Sequence, residues 1–178
     1  LVPQLGPAPR VLLVHGAVGR RSAAAVDAAG VEVETFTAED AWELGKIFVA
    51  EAMDQDIKIA ISIRSMSGKR MFHYAAEGTN HGADAWLDRK FNTVQHFESS
   101  TLGYSLFLKR RGATLAERGL DPTQFVACGG GFPVFVDGIG VVAAVMVSGL
   151  TDVEDHDILV RCISRYLGVE DVPRYPIL

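Results

Sequence analysis

Residues 127–150, ACGGGFPVFVDGIGVVAAVMVSGL, decide the fold of this chain. The runs 132–136 and 139–148 are rich in β-branched and aromatic residues, and Asp137 followed by Gly138 between them is a strong hairpin signal. The second run is apolar at almost every position, which is typical of a central strand covered on both faces. The stretch therefore predicts a β-hairpin in the middle of a sheet.

A run of three glycines, Gly129, Gly130 and Gly131, stands directly before the first of these strands. Glycine costs backbone entropy in regular structure, so a run of three indicates that something approaches the backbone closely. A packed helix or a bulge would explain it, since glycine in strands usually marks such features. A ligand would explain it as well, and the sequence leaves both alternatives open.

Composition indicates one globular domain in the chain of 178 residues. The net charge of −5 and the absence of a long basic run argue against a nucleic-acid surface. The short basic segments 89–92 (RKFN) and 109–112 (KRRG) are expected to be solvated helix ends. No apolar run reaches 18 residues, so no membrane span is expected. Cys128 and Cys162 form no CxxC pair and predict reduced thiols in a cytoplasmic protein.

The rest of the chain predicts helices and strands that alternate in groups. Thr37, followed three residues later by Asp40, is a typical helix N-cap. Apolar periodicity predicts helices over 38–55, 83–98, 99–111 and 152–167, and a second hairpin with strands over 57–64 and 70–76. This order predicts an α+β fold with a largely antiparallel sheet. Residues 1–30 are expected to be an N-terminal extension and 169–178 a C-terminal tail.

Five segments, in this order, carry a resemblance to a known family: FTAEDAWELG (36–45), FHYA (72–75), WLDRKFNTVQHF (86–97), GLDPTQFVACGGGFPVFV (119–136) and IGVVAAVMVSGLTDVEDH (139–156). Over residues 31–168 the chain resembles an uncharacterised conserved family of the GlcG/HbpS-like superfamily, labelled haem-degrading domain. The resemblance implies a profilin-like or Roadblock-like α-β-α sandwich around a five-stranded antiparallel sheet. It also implies homo-oligomers built from dimers, and haem as a possible cofactor. The ExxE-like iron motif of HbpS-type members is missing.

A candidate anion pocket is the first site that the sequence suggests. A helix N-terminus, exposed backbone N–H groups and an arginine fork favour a carboxylate or a phosphate. The alternative is that Arg89 pairs with an acid such as Asp155 and that the histidines satisfy backbone groups, because ion-pair networks imitate sites. The residues of the predicted pocket are Arg89, Asn92, His96, Gly129, Gly130, Gly131, Asp155 and His156.

The histidines show no HExxH, HxH or paired-cysteine spacing, so no metal site is predicted. A haem iron needs only one or two axial ligands, and His73, His81 or His96 could provide them. The complete set is His15, His73, His81, His96 and His156.

Catalytic motifs are weak throughout the sequence. Ser148 and Gly149 lack the GxSxG pattern of hydrolases. Cys128 could be a nucleophile if nearby amides lowered its pKa, but a structural thiol is favoured because no base stands near it in the sequence.

Three functions therefore stay open. The first is a non-catalytic cytoplasmic homo-oligomeric module that binds a small ligand or a partner protein. The second is a haem- or tetrapyrrole-binding or haem-degrading protein. The third is a small-molecule enzyme that uses the anion pocket. Neither a nucleic acid nor a membrane is expected as a partner.

Overall fold

A computed structural model describes residues 31–33, 35–136 and 138–168. The predicted extension (1–30) with His15, the predicted tail (169–178) and Asp137 of the predicted turn lie outside the described residues. The strands are β1 (Val31–Val33), β2 (Ala60–Ser65), β3 (Arg70–Ala75), β4 (Gly131–Val136) and β5 (Gly140–Ser148). The helices are α1 (Ala38–Asp54), α2 (His81–Phe97), α3 (Thr101–Arg111) and α4 (Asp152–Leu167), with a 3-10 turn at Ala116–Arg118.

The described strands form one sheet in the order β1-β4-β5-β2-β3, with the long apolar strand β5 at its centre. β4 and β5 pair as the predicted antiparallel hairpin, and β5 continues antiparallel to β2, which pairs with β3. The largely antiparallel sheet predicted from the residues is confirmed, but the five-stranded antiparallel sheet that the resemblance implies needs a correction for one of the described strands. β1 pairs parallel to β4, with Val31 opposite Val134. A three-residue strand has no readable periodicity, and only its long-range pairing sets its direction.

Local sequence signals explain where α1 and α4 begin. Thr37 caps α1 and Thr151 caps α4, each in a capping box with the acid three residues later. Gly168 ends α4 in the left-handed conformation, with φ of 64°, which glycine adopts without steric cost. No helix in the described ranges has the length and hydrophobicity needed to cross a bilayer.

Helices cover both faces of the sheet, and β5 contributes side chains to each. Val145 and Val147 join the large core cluster beneath α1 and α4, which we call the apolar face. Ala144 and Met146 point the other way and pack with the α2 side chains, on what we call the polar face. This alternation is the two-residue period of a strand that is buried on both sides.

Candidate functional site

A cleft of about 510 Å³ opens where the N-terminal ends of α2 and α4 meet the end of β5. Helix α2 provides one wall, and the chain that leaves β5 and enters α4 provides the other. We call this the α2–α4 cleft. Its lining residues are Asn80, Gly82, Ala83, Trp86, Lys90, Cys128, Ser148, Gly149, Leu150, Asp152 and Asp155.

A buried ion pair stands in the wall of this cleft. The Nζ atom of Lys90 donates to Asp155 Oδ2 and to the carbonyl oxygen of Val147, both at 2.7 Å. Asp155 Oδ1 accepts the backbone N–H of Leu150 at 3.0 Å. Burial raises the pKa of the Asp155 carboxyl above its usual value, although Lys90 acts in the opposite direction. The pair therefore fixes α2 to the turn between β5 and α4.

Close packing accounts for the three glycines. A Cβ atom on Gly129 would lie 1.7 Å from the carbonyl oxygen of Asp152. On Gly130, whose φ is +103°, it would lie 2.4 Å from Lys90 Nζ, and on Gly131 it would lie 2.6 Å from Thr101 Cγ2. Such distances exclude any side chain unless the neighbours move. The helices α2, α3 and α4 thus approach the glycine backbone, as the packing alternative expects.

Arg89, Asn92 and His96 share a face of α2, as predicted, but they do not line the cleft. Arg89 Nε donates to the carbonyl oxygen of Phe125 at 3.3 Å, and Asn92 Nδ2 donates to that of Gln124 at 2.8 Å. The His96 ring contacts Phe125 edge-on, with centroids 5.5 Å apart. This face holds the segment that leads to the glycines. The prediction that Arg89, Asn92 and His96 form one pocket with the glycines is therefore corrected. The alternative, in which Arg89 pairs with Asp155, is corrected as well, because Lys90 is the partner of Asp155.

His156 is completely buried, and it does not line the cleft either. Its ring packs against Phe132, with centroids 5.9 Å apart, and neither ring nitrogen has a hydrogen-bond partner in the described part of the chain. Burial lowers the pKa of His156 to about 4. The ring is therefore neutral at physiological pH and acts as a packing group.

The haem-ligand candidates lie in two places. His73 on β3 and His81 on α2 both approach Asp84, at 3.4 Å and 3.9 Å. His81 stands between the lining residues Asn80 and Gly82, and its side chain is 95% exposed. His96 lies away from them, beside Phe125.

Sequence reasoning missed the two most informative cleft residues, Trp86 and Lys90. The expectation that residues 89–92 are a solvated helix end is wrong for Lys90, which is 2% exposed. A signal was available, because Lys90 follows Leu87 by three residues and precedes Val94 by four. That spacing puts it on the buried stripe of α2. A lysine in such a stripe requires a buried partner.

Cys128 lines the cleft and is half-buried, with its Sγ 3.5 Å from the carbonyl oxygen of Gly129. Burial raises the pKa of the Cys128 thiol, which opposes the idea of an activated nucleophile. Cys162 is buried in the core of the apolar face, and burial raises the pKa of its thiol to about 11.

A family model described as haem degrading protein HbpS-like matches residues 36–164. This chain belongs to the HbpS-like family. The resemblance predicted from the five sequence segments is thereby confirmed. Among curated relatives of this HbpS-like chain, the UPF0303 protein SCO2848 of Streptomyces coelicolor is 40% identical over 134 residues, which cover 75% of this chain and 84% of that protein.

Solved structures share the fold of this HbpS-like chain. The crystal structure of the Ybr137w protein superposes with a TM-score of 0.68 at 27% identity, covering 75% of this chain and 80% of that one. The crystal structure of a PduOC:haem complex gives a TM-score of 0.61 at 20% identity, covering 73% and 94%. At that identity the second likeness shows the fold alone.

Proposed function

We propose that this HbpS-like protein binds a small organic molecule in the α2–α4 cleft. The observation that carries the proposal is the lining, which combines a buried ion pair with an aromatic side chain, Trp86, that is 43% exposed. The cleft volume of about 510 Å³ lies within the usual range of ligand pockets, roughly 300–1,000 Å³. A carboxyl group with a raised pKa, such as Asp155, is typical of such sites.

The charges of the lining define the ligand class. Lys90 is the one cation among the lining residues, and Asp155 balances its charge. An anionic ligand would have to compete with Asp155 for Lys90, and it would also meet the carboxylate of Asp152. We therefore favour an uncharged aromatic ligand that stacks on Trp86. The anionic ligand expected from the sequence is the less favoured alternative.

A fragment library of uncharged aromatic compounds tests this proposal by NMR. Hits are expected to shift the amide signals of Gly149 and Leu150. Trp86→Ala should weaken their binding by roughly tenfold, about 1.4 kcal/mol. Trp42→Ala is a matched control, because Trp42 is also exposed (57%) but lies on α1 over the opposite face. Equal losses in the two variants, or none in Trp86→Ala, would refute the cleft as the site.

A second candidate function is the binding of haem, with or without its degradation. The family description and the haem complex of PduOC support it. In this chain His81 supports it as well, because its exposed imidazole stands at the mouth of a cleft with an aromatic wall. We propose His81 as the axial ligand. Hemin should then give a saturable Soret shift that His81→Ala removes and His96→Ala retains. A wild-type protein without such a shift would eliminate this candidate.

We also propose that residues 31–168 form a profilin-like or Roadblock-like domain that assembles into dimer-based homo-oligomers in the cytoplasm. Helices on both faces of the sheet support the fold assignment. Met53, a large apolar side chain that is exposed on α1, supports assembly, and two free thiols support a reducing compartment. Light scattering should give a dimer or a multiple of it, and Met53→Glu should shift the mass towards the monomer. A wild-type monomer at micromolar concentration would contradict assembly.

A further inference from the structure

The C-terminal end of α3 and the 3-10 turn that follows it carry a cluster of positive charges. Four exposed lysine and arginine side chains form this cluster, which we call the basic patch. Its members are Lys109, Arg110, Arg111 and Arg118. The sequence has only one acidic residue, Glu117, between positions 99 and 120, although the whole chain has a net charge of −5. The basic patch is therefore a local positive surface on an acidic protein.

Two members of the basic patch, Arg111 and Arg118, contact the same aromatic ring. The guanidinium carbon of Arg111 lies 5.0 Å from the ring centroid of Phe107, and that of Arg118 lies 5.7 Å from it. Phe107 stacks on Tyr104, with centroids 6.0 Å apart, and Tyr104 stacks on Phe97 of α2 at 3.9 Å. The two charges thus lie on a column of rings that joins α3 to α2. Such support reduces the side-chain freedom that binding would otherwise remove.

Neither of these arginines forms an ion pair with a carboxylate in the described part of the chain. The adjacent carboxylate, Glu117, accepts from Thr114 instead, from its backbone N–H at 2.8 Å and from its Oγ1 at 2.9 Å. Most other lysines and arginines in the described ranges have a carboxylate partner, as Arg165 has Glu51. A ring contact uses the flat face of a guanidinium, so the N–H donors at its edge remain available to an anion from outside.

The helix dipole explains only part of the basic patch. Cations are favoured in the last turn of a helix, which accounts for residues 109–111. Arg118 lies beyond Gly112, where α3 ends, and the 3-10 turn brings it back to the ring of Phe107. The tertiary fold therefore adds a second arginine to the one that the helix end already provides.

We propose that the basic patch binds an acidic segment of a partner protein. The planar fork of an arginine matches the two oxygens of a carboxylate, and a run of carboxylates supplies the charge that complements four clustered cations. The patch lies on α3, which contributes no lining residue to the α2–α4 cleft. This binding is therefore independent of the functions proposed above.

Other polyanions fit the basic patch less well. Single-stranded nucleic acids are bound by exposed aromatic faces along a positive groove, whereas Phe107 is already covered by two guanidiniums. A lipid surface combines cations with apolar side chains that insert between the lipids. In the described ranges none of the large exposed apolar side chains lies on α3. An acidic protein segment needs neither feature, and it is the partner that the patch favours.

Fluorescence anisotropy of the full chain with a short, dye-labelled polyglutamate peptide tests the proposal. The peptide should bind saturably, and its affinity should fall as salt is added, because salt screens exposed charges. Arg111→Glu/Arg118→Glu should weaken binding by roughly tenfold or more, since it replaces attraction by repulsion. Arg111→Lys/Arg118→Lys keeps the charges and removes the forks, so it should weaken binding by only about threefold. Both positions are exposed, and thermal melts should show that the variants fold like the wild type.

Lys46→Glu/Lys69→Glu is the matched control, because it changes the net charge equally at exposed positions on α1 and between β2 and β3. It should bind the peptide nearly as the wild type does. An equal loss in this control, or a wild-type chain that does not bind the peptide, would overturn the proposal. Tighter binding to single-stranded RNA or to phosphatidylserine vesicles would overturn it as well. A changed solution mass of Arg111→Glu/Arg118→Glu would assign the patch to a contact between copies of this chain and not to an acidic partner.

Discussion

The two faces of the sheet are built in opposite ways. Beneath α1 and α4, on the apolar face, lies a continuous cluster of fully buried side chains such as Phe48, Ile61 and Val145. The polar face beneath α2 has a smaller apolar cluster, and charged or hydroxyl groups such as Lys90, Arg64 and Thr93 are buried around it. The α2–α4 cleft lies at the end of β5, between α2 of the polar face and the start of α4 on the apolar face.

The difference shows where stability and binding are concentrated. On the apolar face, Glu51 of α1 accepts from Arg161 and pairs with Arg165 of α4 at 2.9 Å, so these charges lie between the two helices. Buried charges of the polar face reach the sheet itself, because Lys90 donates to a carbonyl of β5. Apolar burial supplies most folding free energy, whereas oriented polar groups provide specific contacts. Four measurements examine this comparison.

The largest effect is expected from Phe48→Ala on the apolar face. Phe48 is fully buried in α1, and its removal leaves a cavity in the large core cluster. The free energy of unfolding should fall by about 4 kcal/mol. Urea denaturation followed by circular dichroism measures it. A smaller loss of unfolding free energy in Phe48→Ala than in the polar-face variant Lys90→Met would contradict the assignment of most stability to the apolar face.

Lys90→Met should give the next largest effect, about 3 kcal/mol, because it leaves the carboxylate of Asp155 buried without its partner. The double variant Lys90→Met/Asp155→Leu should recover part of this loss, since it removes both charges. The same denaturation experiment measures both. A single variant as stable as the wild type would show that the ion pair has no structural role.

The free energy of unfolding, measured as a function of pH, should show the protonation of His156. Its pKa is lowered to about 4 in the folded chain, against about 6.5 when unfolded, so the unfolded state binds the proton more tightly. Stability from this group is therefore complete above pH 6.5 and is lost as the pH falls towards 4. The loss by pH 4.5 should be roughly 2–3 kcal/mol, at about 1.4 kcal/mol for each tenfold change in proton affinity. His156→Phe should remove this part of the pH dependence.

Trp86→Ala should change stability least, by less than about 1 kcal/mol, because Trp86 is partly exposed and its main described contact is the guanidinium of Arg89 at 4.3 Å. The same substitution is expected to weaken ligand binding tenfold. A thermal melt beside the NMR titration compares the two. A large drop in melting temperature would assign Trp86 to the core instead of to the cleft.

Much of the fold could be predicted from local signals. The cap at Thr37 placed the start of α1, and the period of Leu87, Phe91 and Val94 identified the buried side of α2. The hairpin of β4 and β5 followed from β-branched runs around a turn. The short parallel strand β1 could not be predicted, because its direction depends on pairing with β4, about a hundred residues later.

The candidate site was much harder to predict than the fold. The partners Lys90 and Asp155 are 65 residues apart, and His73 and Asp84 come from different elements. No local motif encodes such pairs. The helix period placed Arg89, Asn92 and His96 together correctly, but it could not show that segment 124–126 covers them. The sequence shows which face of a helix a side chain lies on, whereas the segment that contacts this face is determined by the tertiary fold.

The unequal burial of the two cysteines gives this protein a built-in attachment point for spectroscopic reporters. Cys162 is sealed in the core, whereas Cys128 opens onto the cleft, so a thiol-reactive dye should modify one position of the described chain and leave the other intact. Because burial raises the pKa of Cys128, labelling should accelerate as the solution becomes more alkaline. A fluorophore there would stand directly beside any molecule that enters.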